Sequence, residues 1–333
     1  MVRRIAVLRA LYLGDFICAE PALRALKDRY PLAELYYIGL PWIEPLLRRY
    51  ASVTAFLPFP GCEGISEVPY EPERTEAFLT QAQALRLDLA VQMHGSGPAS
   101  SSFVAELGAR VSLGYTPRGE PSPLSLAVPY PGDHIHETRK WLALAAHVGA
   151  TAPAQPRLPI LPEEAQEADE LLRPLERSRP AVALHSGSRD PARRWPPERF
   201  AALADKLWDA CGCQIVLTGS LDDAPHTSAI RRVCRAPVLD LTGRTSVGTL
   251  AALLRRVGLL VTNDSGPSHV AWAAGVPSVI LFGPTDPARW APLNGSLHRA
   301  VMSPSRRLQD LSLREVWPAV AVLLEQRMPQ GRV

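Results

Sequence analysis

Short aliphatic and β-branched runs alternate along this chain with stretches whose apolar positions recur every three to four residues. The first kind predicts buried strands and the second predicts helices lying on a sheet. In the first half the strands fall at residues 4–8, 35–38, 53–57, 87–92 and 110–114, with helices at 21–29, 74–85 and 102–107. A longer helix, 136–148, closes that half, with Trp141, Leu142, Leu144, Ala145 and Val148 at helical spacing. Residues 150–162 then carry Pro153, Pro156, Pro159 and Pro162. A stretch so interrupted suits neither helix nor central strand, and a stiff linker is predicted. The alternation restarts with strands at 181–185, 214–218, 238–241, 259–262 and 278–282, and helices at 197–210, 224–233, 247–256 and 268–275. A last helix, 313–326, follows Ser312 as its N-cap.

Strand–helix alternation of this kind predicts parallel sheets covered on both faces. Two similar-sized open α/β domains with a cleft between them are therefore expected, with ligands beyond the carboxyl ends of the strands. A length of 333 residues accommodates two domains. With 47% hydrophobic and 21% charged residues, wholesale disorder is excluded. No apolar run approaches the ~18–20 residues of a membrane span. The N-terminus begins basic and apolar, but Asp15 and Glu20 follow at once without a convincing cleavage site, so no signal peptide is expected and a cytoplasmic protein is. A net charge of +3, from 36 basic and 33 acidic residues, is too balanced for nucleic-acid binding by charge alone. Of the five cysteines, Cys211 and Cys213 flank one glycine, and no second pair or nearby histidine completes a zinc site. All five are expected to be reduced and mostly buried.

Three stretches carry candidate chemistry. Leu13-Gly14-Asp15 follows the first strand, which places Asp15 at the carboxyl edge of the first sheet. A carboxylate there could take a proton from a substrate hydroxyl or simply cap a helix. Next, His185-Ser186-Gly187-Ser188 runs into a basic stretch with Arg189, Arg193 and Arg194, then Trp195 and a proline-initiated helix. Ser186, Gly187 and Ser188 could donate to phosphate oxygens, and the arginines could neutralise a diphosphate. A solvated basic loop is the alternative, with Trp195 as a core anchor. Finally, a strand stops at Asn263-Asp264, Ser265-Gly266 turns, and a helix begins at Pro267–Ser268 with His269 in its first turn. The free N–H groups of that helix end form a ready anion site, and Gly283 after the next strand is expected to leave backbone exposed beside it. Capping alone would explain Asp264, but not Asp, Ser, Gly and His together. Asp222 and Asp223 follow another strand, where a carboxylate can hold a ribose diol or cap a helix. No G-x-G-x-x-G follows the first strand, and no P-loop occurs. The stretch His134-Ile135-His136-Glu137 looks metal-like, but the two histidines have no third ligand at a sensible distance.

Together, Leu13-Gly14-Asp15 through Tyr30-Pro31, Trp195-Pro196 with its upstream arginines, and Thr262–His269 with Phe282-Gly283-Pro284-Thr285 resemble the lipopolysaccharide heptosyltransferase family, glycosyltransferase family 9. The resemblance implies a GT-B fold: two Rossmann-like domains, 1–155 for the acceptor and 156–312 for the nucleotide sugar. A C-terminal helix, 313–333, would return to the first domain. It implies inverting, metal-independent transfer from ADP-L-glycero-D-manno-heptose, which is a substrate rather than a cofactor, to a lipopolysaccharide core acceptor. Peripheral association with the inner face of the inner membrane would follow. Asp15 would be the general base and Arg193 would face the donor diphosphate. Asp264, Ser265, Gly266 and His269 would line the donor site, with Asp223 near the ribose. Acceptor residues stay unassigned beyond the loops 60–72, 94–101 and 117–131. A GT-B transferase or epimerase using another nucleotide sugar, or a non-catalytic nucleotide-sugar-binding protein, are the alternatives.

Overall fold

Each half of the chain folds around a six-stranded, all-parallel sheet, in a computed structural model that describes residues 1–326. The chain divides into two units, Met1–Pro156 and Arg157–Val333. In the first, the strands are β1 (Arg4–Leu8), β2 (Glu34–Gly39), β3 (Ala55–Pro58), β4 (Leu89–Gln92), β5 (Val111–Thr116) and β6 (Leu126–Pro129). The helices are α1 (Leu13–Arg29), α2 (Glu44–Leu47), α3 (Pro72–Ala84), α4 (Pro98–Glu106) and α5 (Glu137–Ala146). The second unit has α6 (Pro162–Leu171), β7 (Ala181–His185), α7 (Pro197–Cys211), β8 (Gln214–Thr218), α8 (Ala224–Val233), β9 (Val238–Asp240) and α9 (Val247–Val257). It continues with β10 (Leu260–Asn263), α10 (Gly266–Ala274), β11 (Ser278–Phe282), α11 (Pro287–Trp290), β12 (His298–Met302) and α12 (Leu313–Glu325).

The strand order is β3-β2-β1-β4-β5-β6 in the first sheet and β12-β11-β10-β7-β8-β9 in the second. Counted within each unit this is the same doubly wound order, and it reverses direction beside the unit's first strand. The central strands β4, β7, β8, β10 and β11 are buried almost throughout, as expected of strands covered on both faces. Separate cores hold the two units: one around Leu8, Ile38, Ala90 and Phe103, the other around Leu184, Phe200, Leu217, Val261 and Leu281.

Several expectations need correction. Helix α1 begins at Leu13 rather than residue 21, and Pro21 lies inside it. Two strands, β6 and β12, were not expected; both lie at sheet edges, and β6 is mostly exposed and ends in Pro129. The expected linker ends one residue earlier, because Pro162 is the first residue of α6, whose start is fixed by the Glu164 carboxylate accepting from the Leu161 N–H at 2.9 Å. Ser312 does cap α12, with Glu315 completing a capping box at 2.7 Å. Helix α12 packs on α7, β11 and β12 of its own unit, and residues 327–333 of the helix expected to return lie outside the described residues. All five cysteines are free thiols, two buried and three partly so.

Candidate functional site

In the first unit the topological switch point lies between β1 and β4, and Asp15 stands just beyond β1. It does not cap the helix. Tyr12 is the N-cap, and Asp15 sits in the first turn of α1, where a carboxylate faces the positive end of the helix. A fully buried Arg9 holds it. The Arg9 Nε donates to the Asp15 carbonyl at 2.7 Å, Nη2 donates to Asp15 Oδ1 at 3.3 Å, and Nη1 donates to the Met93 carbonyl at the end of β4. The guanidinium lies 4.6 Å from the centre of the Trp141 ring, and 3.8 Å from Glu137 Oε2. Glu137 in turn accepts from Lys140 Nζ at 2.8 Å and Trp141 Nε1 at 3.0 Å, both buried. The result is an Arg9–Glu137–Lys140 network beneath one partly exposed carboxylate. Its contact with the Asp15 side chain is through Oδ1.

Sequence reasoning missed this network. Arg9 is one of many arginines, and nothing local marks it as buried. In the sequence Glu137 stands out only as a neighbour of His134 and His136. The structure makes His136 the N-cap of α5, with Nδ1 accepting from the Thr138 N–H at 3.2 Å, and turns Glu137 inward. Among the described residues no group of three His, Cys, Asp or Glu side chains could hold a metal.

In the second unit the switch point lies between β7 and β10, and it gathers most of the expected donor residues. Asn263, at the end of β10, ties the two loops together: its Nδ2 donates to the Ser186 carbonyl at 2.7 Å, and its Oδ1 accepts from the Trp195 N–H at 3.1 Å. Asn263 was not among the expected site residues. Arg193 Nη1 lies 3.6 Å from Asp264 Oδ2, and its Nε lies 3.5 Å from Asp190 Oδ2; both are ion pairs too long to be hydrogen bonds. Ser186 Oγ, Arg193 Nε, Asp264 Oδ2 and Thr285 Oγ1 are buried atoms without a hydrogen-bond partner.

Helix α10 begins at Gly266, with Ser265 as an N-cap that makes no side-chain cap bond, so its first-turn N–H groups are not closed off by a side chain. His269 lies buried in that turn against the rings of Trp272 and Trp290. Ser188 contributes its carbonyl, which accepts from Arg194 Nε at 2.7 Å. Gly187 is required by close approach: a Cβ there would fall 2.3 Å from the Asp223 carboxylate. Asp223 is itself committed to a capping box, with Oδ2 accepting from both N–H and Oγ of Ser220 at 2.8 Å. Burial pushes His185 down to about 4 although Asp223 opposes the shift, and its Nδ1 lies 3.1 Å from Thr218 Oγ1. Trp195 is a core anchor, stacked edge-on against Phe200 and donating from Nε1 to the Leu311 carbonyl at 2.7 Å. Gly283 does not expose its backbone, because it packs against Leu308 and the Arg306 carbonyl.

Comparison with known proteins agrees with this geometry. The family model described as glycosyltransferase family 9 (heptosyltransferase) matches residues 79–313. Lipooligosaccharide heptosyltransferase 2 of Haemophilus influenzae is 27% identical over 307 residues, covering 87% of this chain and 86% of that protein. The solved family 9 glycosyltransferase from Veillonella parvula superimposes with a TM-score of 0.81 at 21% identity, over 97% of each chain. E. coli ADP-heptose LPS heptosyltransferase II does so at 0.77 and 24% identity, over 98% of this chain and all of the other. Both units thus have the Rossmann-like form of a GT-B fold, and the activity is that of a glycosyltransferase. The chain belongs to glycosyltransferase family 9, the heptosyltransferase family.

Proposed function

We propose that this enzyme transfers a heptose from an ADP-heptose to a lipopolysaccharide core acceptor, with inversion at the anomeric carbon. The observation that carries the donor half is the concentration of buried atoms that make no hydrogen bond, Ser186 Oγ, Arg193 Nε and Asp264 Oδ2, at a switch point beside a helix N-terminus with no side-chain cap bond. Polar atoms are rarely left in that state without a ligand to meet them. An Arg and a helix end suit a diphosphate. The names of the relatives supply the rest: one is a lipooligosaccharide heptosyltransferase and one an ADP-heptose LPS heptosyltransferase.

In the proposed reaction Asp15 Oδ2 accepts the proton of an acceptor hydroxyl. The acceptor oxygen forms a bond to the anomeric carbon as the bond to the diphosphate oxygen breaks. The electron pair leaves with ADP, and Arg193 with the first turn of α10 stabilises the charge that develops there. Asp264, Ser265, Gly266 and His269 shape that site, Ser186, Gly187 and Ser188 form its opposite loop, and Asp223 supports Gly187 from behind. No metal enters the scheme. The test is incubation of the protein with ADP-heptose and a deacylated lipopolysaccharide core, reading ADP release and the anomeric configuration of the product. Failure of ADP to bind, with a UDP-sugar binding instead, would move the assignment to another nucleotide-sugar enzyme.

A lipid-linked acceptor would bring the enzyme to the inner face of the inner membrane as a peripheral protein. No helix among the described residues is long and apolar enough to cross a membrane. Of the basic side chains clustered early in the chain, Arg3, Arg4, Arg24, Lys27, Arg29, Arg48 and Arg49, four (Arg4, Arg24, Lys27 and Arg49) donate to main-chain carbonyls, which leaves the exposed Arg3, Arg29 and Arg48 as the more available contributors. Each exposed cation near anionic lipid contributes ~1 kcal/mol, so vesicle binding should weaken with added salt.

A further inference from the structure

Two of the loops expected to face the acceptor meet in the first unit and enclose a pocket of about 220 Å³. One is the loop between β3 and α3. Arg74 pins it at both ends, donating from Nε to the Pro60 carbonyl and from Nη2 to the Pro69 carbonyl, each at 2.6 Å. Thr75 Oγ1 adds a bond to the Gly61 carbonyl at 3.0 Å. The other is the turn from β4 into α4. Phe59 joins them, packing edge-on against Phe103 and lying over His94. The loop backbone around the pocket is therefore fixed by Arg74 and Thr75.

Its lining mixes donors with acceptors. Glu67 supplies a carboxylate, 18% exposed. His94, nine-tenths buried, sets Nε2 3.7 Å from Glu67 Oε2 and has no hydrogen-bond partner at Nδ1. Ala99 and Ser100 belong to the first turn of α4, where Pro98 has no N–H and the N-cap Gly97 has no side chain to meet the amides of Ala99 and Ser100. Burial and the nearby Arg9 cation push His94 down to about 4, so at neutral pH it can both donate and accept. The fixed Glu67 charge disfavours an anion. Donors beside acceptors match adjacent hydroxyls, and the volume is below the ~300–1,000 Å³ of sites for drug-sized ligands. The pocket is also coupled to the candidate base, since one guanidinium, Arg9, holds both Asp15 and the Met93 carbonyl next to His94.

We propose that this pocket is an acceptor subsite for a single sugar ring, in which Glu67 accepts from one hydroxyl and the first-turn amides of α4 donate to its neighbour. The inference rests on the acceptor reading above and adds the residues that would bind it. Two variants test it. Glu67→Gln keeps the shape but replaces a charge-assisted hydrogen bond by a neutral one, for an expected ~10-fold loss of affinity. Gly97→Phe blocks the pocket; Gly97 has an extended backbone, and a Cβ there meets nothing within 4 Å, so the change is accommodated. The probe is a deacylated lipopolysaccharide core oligosaccharide truncated at its heptose, titrated by calorimetry, with ADP affinity and melting temperature measured alongside. The expected result is weaker oligosaccharide binding in Glu67→Gln and none detectable in Gly97→Phe, with ADP affinity unchanged. Equal oligosaccharide binding by both variants and the unaltered protein overturns the subsite alone. No oligosaccharide binding by the unaltered protein, with ADP binding intact, overturns the acceptor reading and the subsite with it.

Discussion

Replacing Arg9 by lysine tests whether the buried network exists to hold Asp15. Arg9 serves three acceptors in different directions, the Asp15 and Met93 carbonyls and Asp15 Oδ1, while facing Glu137 and the Trp141 ring. A lysine keeps the charge but cannot reproduce the planar fork. Removing the cation altogether would break a buried ion cluster, at roughly 3–5 kcal/mol, a large part of the ~5–15 kcal/mol that typically holds a domain. Arg9→Lys is the milder perturbation, leaving one or two buried carbonyls poorly served at ~1–3 kcal/mol each. On the proposed mechanism a shift of Asp15 by about 1 Å would cost on the order of 10²-fold in rate, so kcat should fall by that factor while ADP affinity, proposed to lie with the second unit, stays the same. The decisive measurement is a double-mutant cycle. Asp15→Asn alone should cost ~10²–10⁴ in transfer. If Arg9 acts through Asp15, adding Arg9→Lys to Asp15→Asn should cost almost nothing more. Fully additive losses, or a near-wild-type kcat for a folded Arg9→Lys, would refute the positioning role.

Arg193→Gln should raise the ADP-sugar KM about 10-fold, through loss of a charge-assisted contact to phosphate, and leave the melting temperature nearly unchanged because that side chain is partly exposed; initial-rate kinetics and thermal melts check both. Gly187→Ala should weaken ADP binding and lower the melting temperature, since its Cβ would displace the Asp223 carboxylate that caps the turn at Ser220; a crystal-quality fold with unchanged ADP titration would contradict it. His94, His185 and His298 are each pushed down to about 4 by burial. The folded protein therefore keeps them neutral while the unfolded chain binds protons below ~6.5. Their contribution to stability is complete above pH 6.5 and is lost as pH falls from there towards 4, by up to ~4 kcal/mol per pH unit when all three count. His298→Gln should remove about one third of that slope in denaturant melts between pH 6.5 and 4.5, and an unchanged slope would exclude the His298 contribution.

The doubly wound class was legible because the central strands are uninterrupted apolar runs, and four of them (Arg4–Leu8, Ala181–His185, Gln214–Thr218 and Ser278–Phe282) coincide with their sequence-based bounds. The edge strands β6 and β12 were not legible. An edge strand is stabilised by one neighbour and needs no continuous buried pattern, as the exposed Leu126 illustrates. The glycine turn at Gly14 places the expected helix start at Pro21, a position proline favours; the buried face on both sides of it, Phe16 to Leu26, carries the helix through instead. Much of the candidate donor site was visible because its residues cluster at two strand ends. The partners that give those residues their geometry were not. Asn263 and Arg9 act across gaps of 77 and 84 residues respectively, through bonds to Ser186 and Met93, and no local pattern reports such distances.

The two units place opposite electrostatics on one topology. At the first switch point Arg9 and Lys140 are buried and matched by Glu137, Asp15 and main-chain carbonyls at hydrogen-bond or near-contact distance. Such a set has little remaining capacity for an anion, and what it leaves available is one oxygen of Asp15, an acceptor. That arrangement suits a neutral hydroxyl whose proton must go somewhere, and a fixed network needs no reorganisation when it arrives. At the second switch point Arg193 faces Asp190 and Asp264 at 3.5 and 3.6 Å, outside hydrogen-bond range, beside a helix end with no side-chain cap bond and a buried Ser186 hydroxyl that makes no hydrogen bond. Loose pairs of this kind are readily exchanged. In the proposed site a diphosphate could take bidentate, charge-assisted contacts from Arg193, and the first turn of α10 would add donors that its N-cap side chain does not occupy. The same strand order thus suits a proton acceptor in one unit and an anion receptor in the other, the two functions that transfer from a nucleotide sugar requires.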